Sequence, residues 1–550
     1  MDTLFDRHRG LLDEALTALA TRGFWTPFPE VPSGKIYGET AKADGDAAFR
    51  ALCDAPFQIP GHPETNRIGA ELSPWGPALG ITYPAADVAT LVAAAEAAAP
   101  GWAAASPQQR VGVCLELLVR LNRMSFLMAD AVMHTTGQAF PMAFQAGGPH
   151  AQDRGLEAVT VAFAEMTRTP ASAVWTKPQG KAPPLVIEKH WRVVPRGLGL
   201  VIGCNTFPTW NSYPGLFASL ATGNPVIVKP HPGAILPLAL TVREARAVLA
   251  EAGFDPNLVL LAADAPGAEI TKDLVTHPAV GIIDYTGSST FGDWVRHNAG
   301  DALVFTEEAG VNSIIIAATD DFAGLCSNVA FSLALYSGQM CTAPQDIFVP
   351  RGGIATNEGP KSFAEVAEGI AAAVDALLAD PARASGVCGA IASPATLARV
   401  EAARGLGRVV RDSAPLASGR SATPLILAVD AADSAAYEEE RFGPIAFVVA
   451  VDDAADGIAR AAGLAKRKGA LTAALYDTDE ARIATAADAF AAAGVNLSVN
   501  LTGNIFVNQS AAFSDYHVTG ANPAGNASLT DAAFIAGRFR LAMWRRPQAA

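Results

Sequence analysis

Short runs of β-branched and aliphatic residues alternate with helical patterns through the middle of this chain, and this alternation is the feature that most restricts its fold. The runs lie at residues 198–203, 225–230, 257–263, 281–287, 302–307 and 312–318. Between the second and third runs lies a helical pattern, LPLALTVREARAVLAEAG, which ends with Gly253 directly after the C-cap. Strands that alternate with helices predict a doubly wound parallel sheet.

A second alternation follows Cys341 and predicts a second α/β domain. It contains the runs IFVP, AIA, PLILAV, AFVVAV and AALYD, and a long alanine-rich helix, KSFAEVAEGIAAAVDALLAD. Upstream of the first sheet, residues 85–140 carry apolar side chains every three or four positions, which predicts long covering helices. Residues 1–70 mix a short helical pattern with aromatic and proline-rich segments and indicate no chemistry.

The composition is that of a globular protein that does not bind nucleic acid. Half of the 550 residues are hydrophobic and 17% are charged, so the chain can bury a large core. Its net charge of -14 disfavours a polyanionic partner.

The sequence also argues against a membrane protein. Two acids lie within the first six residues and no apolar stretch follows them, which predicts a cytoplasmic location. The 32 residues from 197 to 228 carry no charge, but Pro208, Pro214, Pro225 and three asparagines interrupt them. This pattern predicts buried backbone near a site and no membrane span.

Six cysteines are spread widely along the chain: Cys53, Cys114, Cys204, Cys326, Cys341 and Cys388. They form no C-x-x-C pair and show no zinc-ligand spacing, so the sequence predicts neither disulfides nor a metal site. A cysteine of this kind is most often a small buried thiol, and a function for any one of them needs support from other residues.

Four motifs suggest chemistry, and the first is the segment SGQMC at residues 337–341. It ends an apolar helical run, and Gly338 lets the chain turn sharply and bring the Cys341 thiol out at a loop. A backbone N–H at such a loop can stabilise an oxyanion.

The second motif, TGSSTFG at residues 286–292, follows a strand and begins a helix. Its small residues leave N–H groups free to bind phosphate, although an ordinary strand-to-helix turn is the alternative. No G-x-G-x-x-G fingerprint is found in this context. The third and fourth motifs are VKP at 228–230, which ends a predicted strand, and ERFGP at 440–444.

Taken together and in this order, the motifs resemble those of the aldehyde dehydrogenase superfamily over about residues 70–540. An N-x-F-P segment, K-P and G-S-x-x-x-G are followed by an acidic residue 34 positions before G-Q-x-C and by E-x-F-G-P 99 positions after the cysteine. The resemblance implies an aldehyde dehydrogenase-like α/β fold of two doubly wound domains plus a small oligomerisation hairpin. Longer segments, such as FVNQSAAFSDYHVTGANPAGNASLTD, are similar to the PaaN subfamily of phenylacetic acid degradation proteins.

The resemblance also implies a division of the chain. The implied parts are an N-terminal extension (1–70), a nicotinamide cofactor-binding domain (71–173 and 195–306), a catalytic domain (307–510), and an oligomerisation arm with a C-terminal segment (174–194 and 511–550). Such proteins assemble through the arm, so a homodimer or homotetramer is expected.

By the same resemblance, Cys341 attacks an aldehyde as a thiolate and forms a thiohemiacetal whose oxygen needs two donors. The Cys341 backbone N–H is one donor. The family supplies the other from an asparagine directly before Phe-Pro, a register that holds Thr206 here, with Asn205 one position earlier. We assign Asn205, because an amide reaches an oxyanion better than a hydroxyl does.

Glu307 is the implied base for hydrolysis of the thioester that hydride transfer leaves. Its distances of 34 residues to Cys341 and five residues to Asn312 match the family register. The neighbouring Glu308 competes for the role, but alternation along a strand predicts that it points the other way.

The remaining implied contacts are with a nicotinamide cofactor. Lys229 would reach the adenosine ribose, Glu440 would hold the nicotinamide ribose with Phe442 packed behind it, and the pyrophosphate would meet the turn that contains Gly287, Ser288 and Gly292. Family members that prefer NAD commonly place a glutamate three positions after the lysine, where this chain has Pro232. Without that carboxylate nothing repels a 2′-phosphate, so the sequence favours NADP, with NAD as the alternative.

The implied substrate is a small-molecule aldehyde, namely a semialdehyde made by ring opening in aromatic catabolism and carried as a coenzyme A thioester. Two alternatives stay open: an acylating dehydrogenase, in which coenzyme A receives the acyl group, and a non-enzymatic binding protein on the same fold. Glu307 argues against the first alternative, and the presence of both Cys341 and Glu307 argues against the second.

Overall fold

Helices dominate the first third of the chain and then alternate with strands. The computed structural model describes residues 3–268, 270–308, 310–529 and 531–548. Its α-helices are α1 (Leu4–Arg7), α2 (Arg9–Thr21), α3 (Gly34–Tyr37), α4 (Ala41–Leu52), α5 (Val88–Ala104), α6 (Pro107–Arg123), α7 (Ser125–Thr136), α8 (Phe140–Gly147), α9 (Pro149–Thr167), α10 (Pro208–Ala221), α11 (Leu236–Glu251), α12 (Ile270–Val275), α13 (Ser289–Asn298), α14 (Phe322–Ala334), α15 (Phe363–Leu378), α16 (Pro381–Cys388), α17 (Pro394–Ala403), α18 (Ser434–Tyr437), α19 (Ala454–Lys468), α20 (Glu480–Ala493) and α21 (Ala532–Ala536).

The strands fall into two large sheets and three small ones. They are β1 (Asn66–Ile68), β2 (Tyr83–Ala85), β3 (Ser172–Gln179), β4 (Ala182–Pro195), β5 (Leu198–Ile202), β6 (Val226–Lys229), β7 (Val259–Leu261), β8 (Val280–Thr286), β9 (Leu303–Glu307), β10 (Asn312–Ile316), β11 (Ala318–Thr319), β12 (Pro344–Pro350), β13 (Ala355–Thr356), β14 (Arg408–Arg411), β15 (Leu425–Asp430), β16 (Ile445–Val451), β17 (Thr472–Tyr476), β18 (Asn496–Val499) and β19 (Phe539–Pro547). Short 3-10 turns lie at Pro256–Leu258, Leu335–Gly338 and Arg404–Leu406.

Local sequence explains where several helices begin and end. Asp87 caps α5 by accepting a hydrogen bond from the Thr90 N–H, and Ser106 and Gln109 form a reciprocal capping box at the start of α6. The predicted end of α11 is also found, since Gly253 follows the C-cap with φ +81°.

The first large sheet is fully parallel, in the order β7-β6-β5-β8-β9. Strands β5 and β6 are buried along their whole length, because helices cover both faces. The chain moves outward from β5 in one direction and then, from β8, in the other. The carboxyl ends of β5 and β8 therefore flank the switch point at which such sheets bind ligands.

The second large sheet has the order β14-β15-β16-β12-β10-β17-β18 and is parallel except for its edge strand β14. Glu307 ends β9 in the first sheet, and Asn312 begins β10 near the middle of the second. Two such sheets with covering helices confirm the predicted α/β fold.

The largest of the three small sheets is antiparallel and has three strands, in the order β19-β4-β3. Its hairpin occupies residues 172–195, the region for which an oligomerisation arm was predicted. All eight residues of β3 are exposed.

Residues 1–70 have no predicted chemistry, but those that the structure describes are integrated into the fold. Helices α1 and α2 pack on α6 and α9, and Phe5 and Leu12 lie in the largest hydrophobic core. No single helix within the described ranges is long and apolar enough to cross a membrane. Helices α5 and α6 reach that length and composition only when taken together, and a bend of 118° separates them.

Candidate active site

Cys341 lies in the wall of a cavity of about 540 Å³. Phe207, Trp210, Met142 and Met340 form an apolar cluster beside it. A cavity of this size, mostly apolar with a few polar groups, is typical of a small-molecule site.

The loop that presents Cys341 has an unusual backbone. Tyr336 and Ser337 both have φ +50°, a backbone conformation that residues other than glycine rarely adopt. Gly338 follows with φ +61°, and a Cβ there would lie 2.5 Å from the Gly443 carbonyl oxygen. The G-Q-x-C and E-x-F-G-P motifs therefore pack directly on each other, and Gly338 is required by both the φ angle and the close approach.

Buried polar side chains hold this loop in place. The Gln339 amide donates to the Ala390 carbonyl at 3.0 Å, and its oxygen accepts from the Ala392 N–H at 2.8 Å. The Asn312 amide donates to the Cys341 carbonyl at 2.8 Å, and its oxygen accepts from the Leu471 N–H at 2.9 Å. Asn312 thus ties the Cys341 loop to the start of β17, which explains why its register relative to Glu307 matters.

Three reactive groups meet at Cys341. The His517 Nε2 lies 3.5 Å from the Cys341 Sγ and 3.0 Å from Glu307 Oε1, and a Glu307 carboxylate oxygen lies within 4.8 Å of the same sulfur. Asn211 donates to the other Glu307 oxygen at 3.0 Å. The predicted pair of Cys341 and Glu307 is therefore brought together, with a histidine between them.

The surroundings shift the pKa values of Cys341 and Glu307 in opposite directions. Burial raises the pKa of the Cys341 thiol well above its ordinary value, and the Glu307 carboxylate raises it further. Burial would also raise the pKa of Glu307, but the imidazole of His517 and the hydrogen bonds at both oxygens hold it below the ordinary value. The carboxylate is thus ionised, whereas the thiol needs a partner that removes its proton.

The position of the His517 ring is fixed by its neighbours. Trp210 packs edge-on against it with ring centroids 4.5 Å apart, and Ser510 Oγ lies 3.5 Å from Nδ1. Buried Arg154 donates to the same Ser510 hydroxyl at 3.1 Å. Sequence reasoning assigned no role to His517 or Asn211, because His517 lies 176 residues from Cys341 and no short motif marks either residue.

Glu308, the competitor of Glu307, points away from the cysteine. It is buried against the Arg296 guanidinium, with which it forms an ion pair. A Cβ on Gly292 would lie 2.4 Å from the Glu308 carboxyl carbon, so this glycine makes room for that pair.

Asn205, the predicted oxyanion donor, does not line the cavity that contains Cys341. Its Oδ1 lies 3.2 Å from the place where a Cβ of Gly233 would stand, in the loop that follows β6. Thr206, the other candidate for the role, accepts a hydrogen bond from Gln138 at its carbonyl. The amide that the structure places in the cavity wall is that of Asn211.

Lys229 ends β6 at the predicted edge of the sheet but is engaged by a carboxylate. Its Nζ lies 2.8 Å from Asp264 Oδ1 and donates to the Pro230 carbonyl at 2.8 Å. Burial lowers the pKa of Lys229, and Asp264 partly offsets that effect. Asp264 follows β7 and lies 35 residues after Lys229, so the V-K-P motif does not include it.

The turn at residues 286–289, for which phosphate binding was predicted, joins β8 to α13. Ser288 caps α13 by accepting from the Phe291 N–H, and Gly287 has no room for a side chain because a Cβ would lie 2.3 Å from the Tyr285 hydroxyl. The N–H groups of the first helical turn have no partner within the helix and face the carboxyl end of β8.

Glu440 and Phe442 lie on the loop that packs against Gly338. Burial raises the pKa of Glu440 to about 7, although the Gly310 N–H donates to the carboxylate. Glu440 is near enough to raise the pKa of the Cys341 thiol. The Phe442 carbonyl accepts from Arg399. The structure therefore brings Glu440 to the same site as Cys341 and Glu307.

The side chains of Cys341, Glu307 and His517 could also hold a metal ion, since one sulfur, oxygen or nitrogen atom from each lies within 4.8 Å of the others. Zinc accepts this donor set. The sequence predicted no metal site, because these three residues lie far apart along the chain. A metal bound here would be coordinated by the Cys341 sulfur, which is the proposed nucleophile.

Comparison with known proteins agrees with this geometry. The model of the aldehyde dehydrogenase family matches residues 81–521. The N-succinylglutamate 5-semialdehyde dehydrogenase of Burkholderia cenocepacia is 27% identical over 70% of this chain and 75% of its own length, and the vanillin dehydrogenase of Pseudomonas fluorescens is 27% identical over 72% and 80%.

Solved structures give the same result. An NAD-dependent aldehyde dehydrogenase from Burkholderia multivorans is 55% identical, with a TM-score of 0.98 over 100% of this chain and 99% of that one. A 1-pyrroline-5-carboxylate dehydrogenase mutant of Thermus thermophilus shares the fold at 20% identity, with a TM-score of 0.74 over 96% of this chain and 99% of that one. The chain belongs to the aldehyde dehydrogenase family and is an oxidoreductase that acts on aldehydes with a nicotinamide cofactor.

Proposed function

We propose that this protein oxidises an aldehyde to a carboxylic acid with NAD or NADP, through a covalent intermediate on Cys341. The observation that carries the proposal is the cluster of Cys341, His517 and Glu307, of which Cys341 and His517 line one cavity. A thiol, a base within hydrogen-bonding reach and a third group that orients the base are the parts that nucleophilic catalysis needs.

The first step is activation of the thiol. Because the pKa of Cys341 is raised, the thiolate forms only as its proton passes to His517 or Glu307. The thiolate then attacks the aldehyde carbon and gives a thiohemiacetal.

The oxygen of that intermediate needs hydrogen-bond donors. The Cys341 backbone N–H is one, and Asn205 is the side-chain amide assigned from the sequence. Asn211 is the rival amide, since it already lies in the cavity wall. Alanine variants at the two positions decide between them, because loss of an oxyanion donor lowers kcat by about 10²–10³.

The residues present fit a nicotinamide cofactor. The capped turn at Ser288 would hold the pyrophosphate, with Gly287 and Gly292 keeping it narrow, and Glu440 beside the cysteine would hold the nicotinamide ribose with Phe442 behind it. When bound, the cofactor would supply the hydride acceptor, and loss of hydride and of the hydroxyl proton from the thiohemiacetal leaves a thioester.

Hydrolysis of the thioester is assigned to Glu307. Its lowered pKa keeps it ionised at neutral pH, so it can take a proton from a water that attacks the thioester. The acylating alternative, with coenzyme A as acceptor, does not need this base. Product formation without free coenzyme A supports hydrolysis, and a strict requirement for coenzyme A supports the alternative.

The choice between NAD and NADP depends on the charges around Lys229. Pro232 removes one carboxylate and so favours NADP, but Asp264 places another beside Lys229 and neutralises it. The similar structure from Burkholderia multivorans is described as NAD-dependent. We therefore propose that both cofactors are accepted, and kcat/KM for each measures the preference.

The proposed substrate is a semialdehyde from aromatic catabolism, in free form or as a coenzyme A thioester. The resemblance of the segment FVNQSAAFSDYHVTGANPAGNASLTD to the PaaN subfamily supports it. The matching relatives include dehydrogenases named for benzaldehyde, vanillin and N-succinylglutamate 5-semialdehyde. The test is a panel of aldehydes with each cofactor, followed by absorbance of the reduced cofactor. Turnover that Cys341→Ala abolishes supports the proposal, and absence of turnover with every aldehyde refutes it.

We also propose that the protein is a cytoplasmic homodimer or homotetramer built through the sheet β19-β4-β3. Apolar side chains are exposed on this sheet, among them Val174, Trp175, Met543 and Trp544. Such a patch on an exposed sheet is typical of an interface. Light scattering tests it, and a Trp175→Glu variant that keeps the wild-type mass in solution contradicts it.

A further inference from the structure

We infer that residues 22–30, here called the N-terminal arm, form one wall of the substrate cavity and select aldehydes that carry an aromatic or similarly broad apolar group. The inference rests on the aldehyde oxidation proposed above, not on the ring-opened semialdehyde, and adds the class of group attached to the aldehyde carbon. The cavity that contains Cys341 is also lined by five residues of the arm: Phe24, Trp25, Thr26, Phe28 and Glu30. These residues precede the part of the chain that matches the family model, which begins at residue 81.

The arm is fastened to α9 by polar contacts. Glu30 Oε2 lies 2.7 Å from His150 Nε2, and the Thr26 hydroxyl lies 3.0 Å from Asp153 Oδ1. The same hydroxyl accepts from the Phe28 N–H at 3.0 Å, so the arm is folded around it. The polar side chains of this wall are therefore hydrogen-bonded to each other.

A third contact extends the row. Arg22 Nη1 lies 3.8 Å from Glu157 Oε1, and its guanidinium stacks 4.4 Å from the Tyr516 ring centroid. Glu157, the partner of Arg22, lies on α9 seven residues after His150 and four after Asp153. These spacings place the three α9 residues on one helix face. Arm residues four apart therefore meet successive turns of α9, and the arm is a fixed wall.

The arm also contacts the loop that carries His517. Trp25 packs edge-on against Phe513, with ring centroids 5.1 Å apart at 83°. Phe513 is fully buried and lies four residues before His517. The arm wall and the reactive cluster are thus parts of one packed unit.

The side chains that this wall offers to a substrate are aromatic. Phe24 is 83% exposed although it lines the cavity, so its phenyl face is available to a bound molecule. A small aldehyde attached to Cys341 fills only a fraction of about 540 Å³, whereas a substrate with an added ring has surface to place against the arm. Aromatic pairs prefer edge or offset contacts with such a face.

The test compares two aldehydes that differ only in a phenyl group, propanal and 3-phenylpropanal. Phe24→Ala removes the exposed ring and none of the anchoring contacts. We expect kcat/KM for 3-phenylpropanal to fall by about five- to tenfold, as loss of an aromatic contact predicts, and kcat/KM for propanal to stay within about twofold. Val31→Ala is the matched control, since Val31 is 54% exposed just beyond the arm and does not line the cavity.

A binding measurement keeps the inference separate from the proposed reaction. In a Cys341→Ala background, the Kd of the product analogue 3-phenylpropanoate should rise by about five- to tenfold on Phe24→Ala, whether or not the wild type oxidises either aldehyde. If the wild type oxidises neither aldehyde but the Kd shifts, oxidation of these two aldehydes fails and the arm inference stands. An unchanged Kd, or equal losses for propanal and 3-phenylpropanal, overturns the inference.

Discussion

Replacing His517 with glutamine should make the Cys341 thiol far less reactive. Glutamine keeps an amide near Glu307 but cannot accept the thiol proton. For unit charges 3.5 Å apart, Coulomb's law at an effective dielectric of about 20 gives an upper bound of about 4.7 kcal/mol for the thiolate–imidazolium pair. General base catalysis contributes about 10²–10⁴-fold. We therefore expect thiol alkylation and kcat/KM both to fall by about 10²–10³-fold.

The assay is the rate of iodoacetamide alkylation of Cys341, followed by peptide mass spectrometry at neutral pH. His297→Gln is the matched control, because His297 is exposed at the far end of α13 from the phosphate turn. An alkylation rate for His517→Gln within about threefold of the wild type would refute the reasoning, since general base catalysis is worth more than that. It would assign thiol activation to Glu307 alone.

Three further predictions concern the cofactor site and the nucleophile loop. Asp264→Asn should raise the kcat/KM ratio of NADP to NAD by about tenfold, because it frees the Lys229 charge for a 2′-phosphate; an unchanged ratio contradicts this. The pKa of Glu440 is raised to about 7 and its carboxylate is the form that accepts ribose hydroxyls, so the cofactor KM should fall as the pH rises through about 7, and Glu440→Gln should flatten that profile without flattening kcat. Gly338→Ala should abolish activity and lower stability by about 1–3 kcal/mol in thermal unfolding, whereas Gly352→Ala, where a Cβ meets nothing within 4 Å, should resemble the wild type.

All five strands of the first large sheet could be predicted, and so could β10, β12, β15, β16 and β17 of the second, because each is a short apolar run bounded by turn residues. The edge strands β14 and β18 were not predicted, and the predicted run AIA at 390–392 is not a strand. The prediction for residues 198–203 corresponds to β5, and that for 302–307 to β9. The sequence could not show how residues 1–70 pack, because their contacts are made with helices far away in the sequence, such as those of α1 with α6 and of α4 with α7. Phe5, for example, is buried in the core that includes Leu118 on α6.

The candidate site was predictable where a short motif carries the residue. Cys341, Glu307 and Glu440 lie in such motifs, and the structure places them together. His517 could not be found in this way, because its role depends on a loop that returns to the site from near the C-terminus.

The cofactor preference shows the same limit. The argument for NADP considered only residues near Lys229 in the sequence and found Pro232. The structure places the carboxylate of Asp264 beside Lys229, from the loop that follows the neighbouring strand β7, with Nζ to Oδ1 at 2.8 Å. A parallel sheet places residues from separate strands side by side at its edge, and no local pattern contains that information.

The most direct test of the central claim is rapid mixing of Glu307→Gln with aldehyde and cofactor, together with the intact mass of the protein. If Cys341 is the nucleophile and Glu307 the base for hydrolysis, reduced cofactor should form in a single burst and turnover should then stop, with the acyl group attached to Cys341. Steady turnover at the wild-type rate without an acyl adduct would contradict the account.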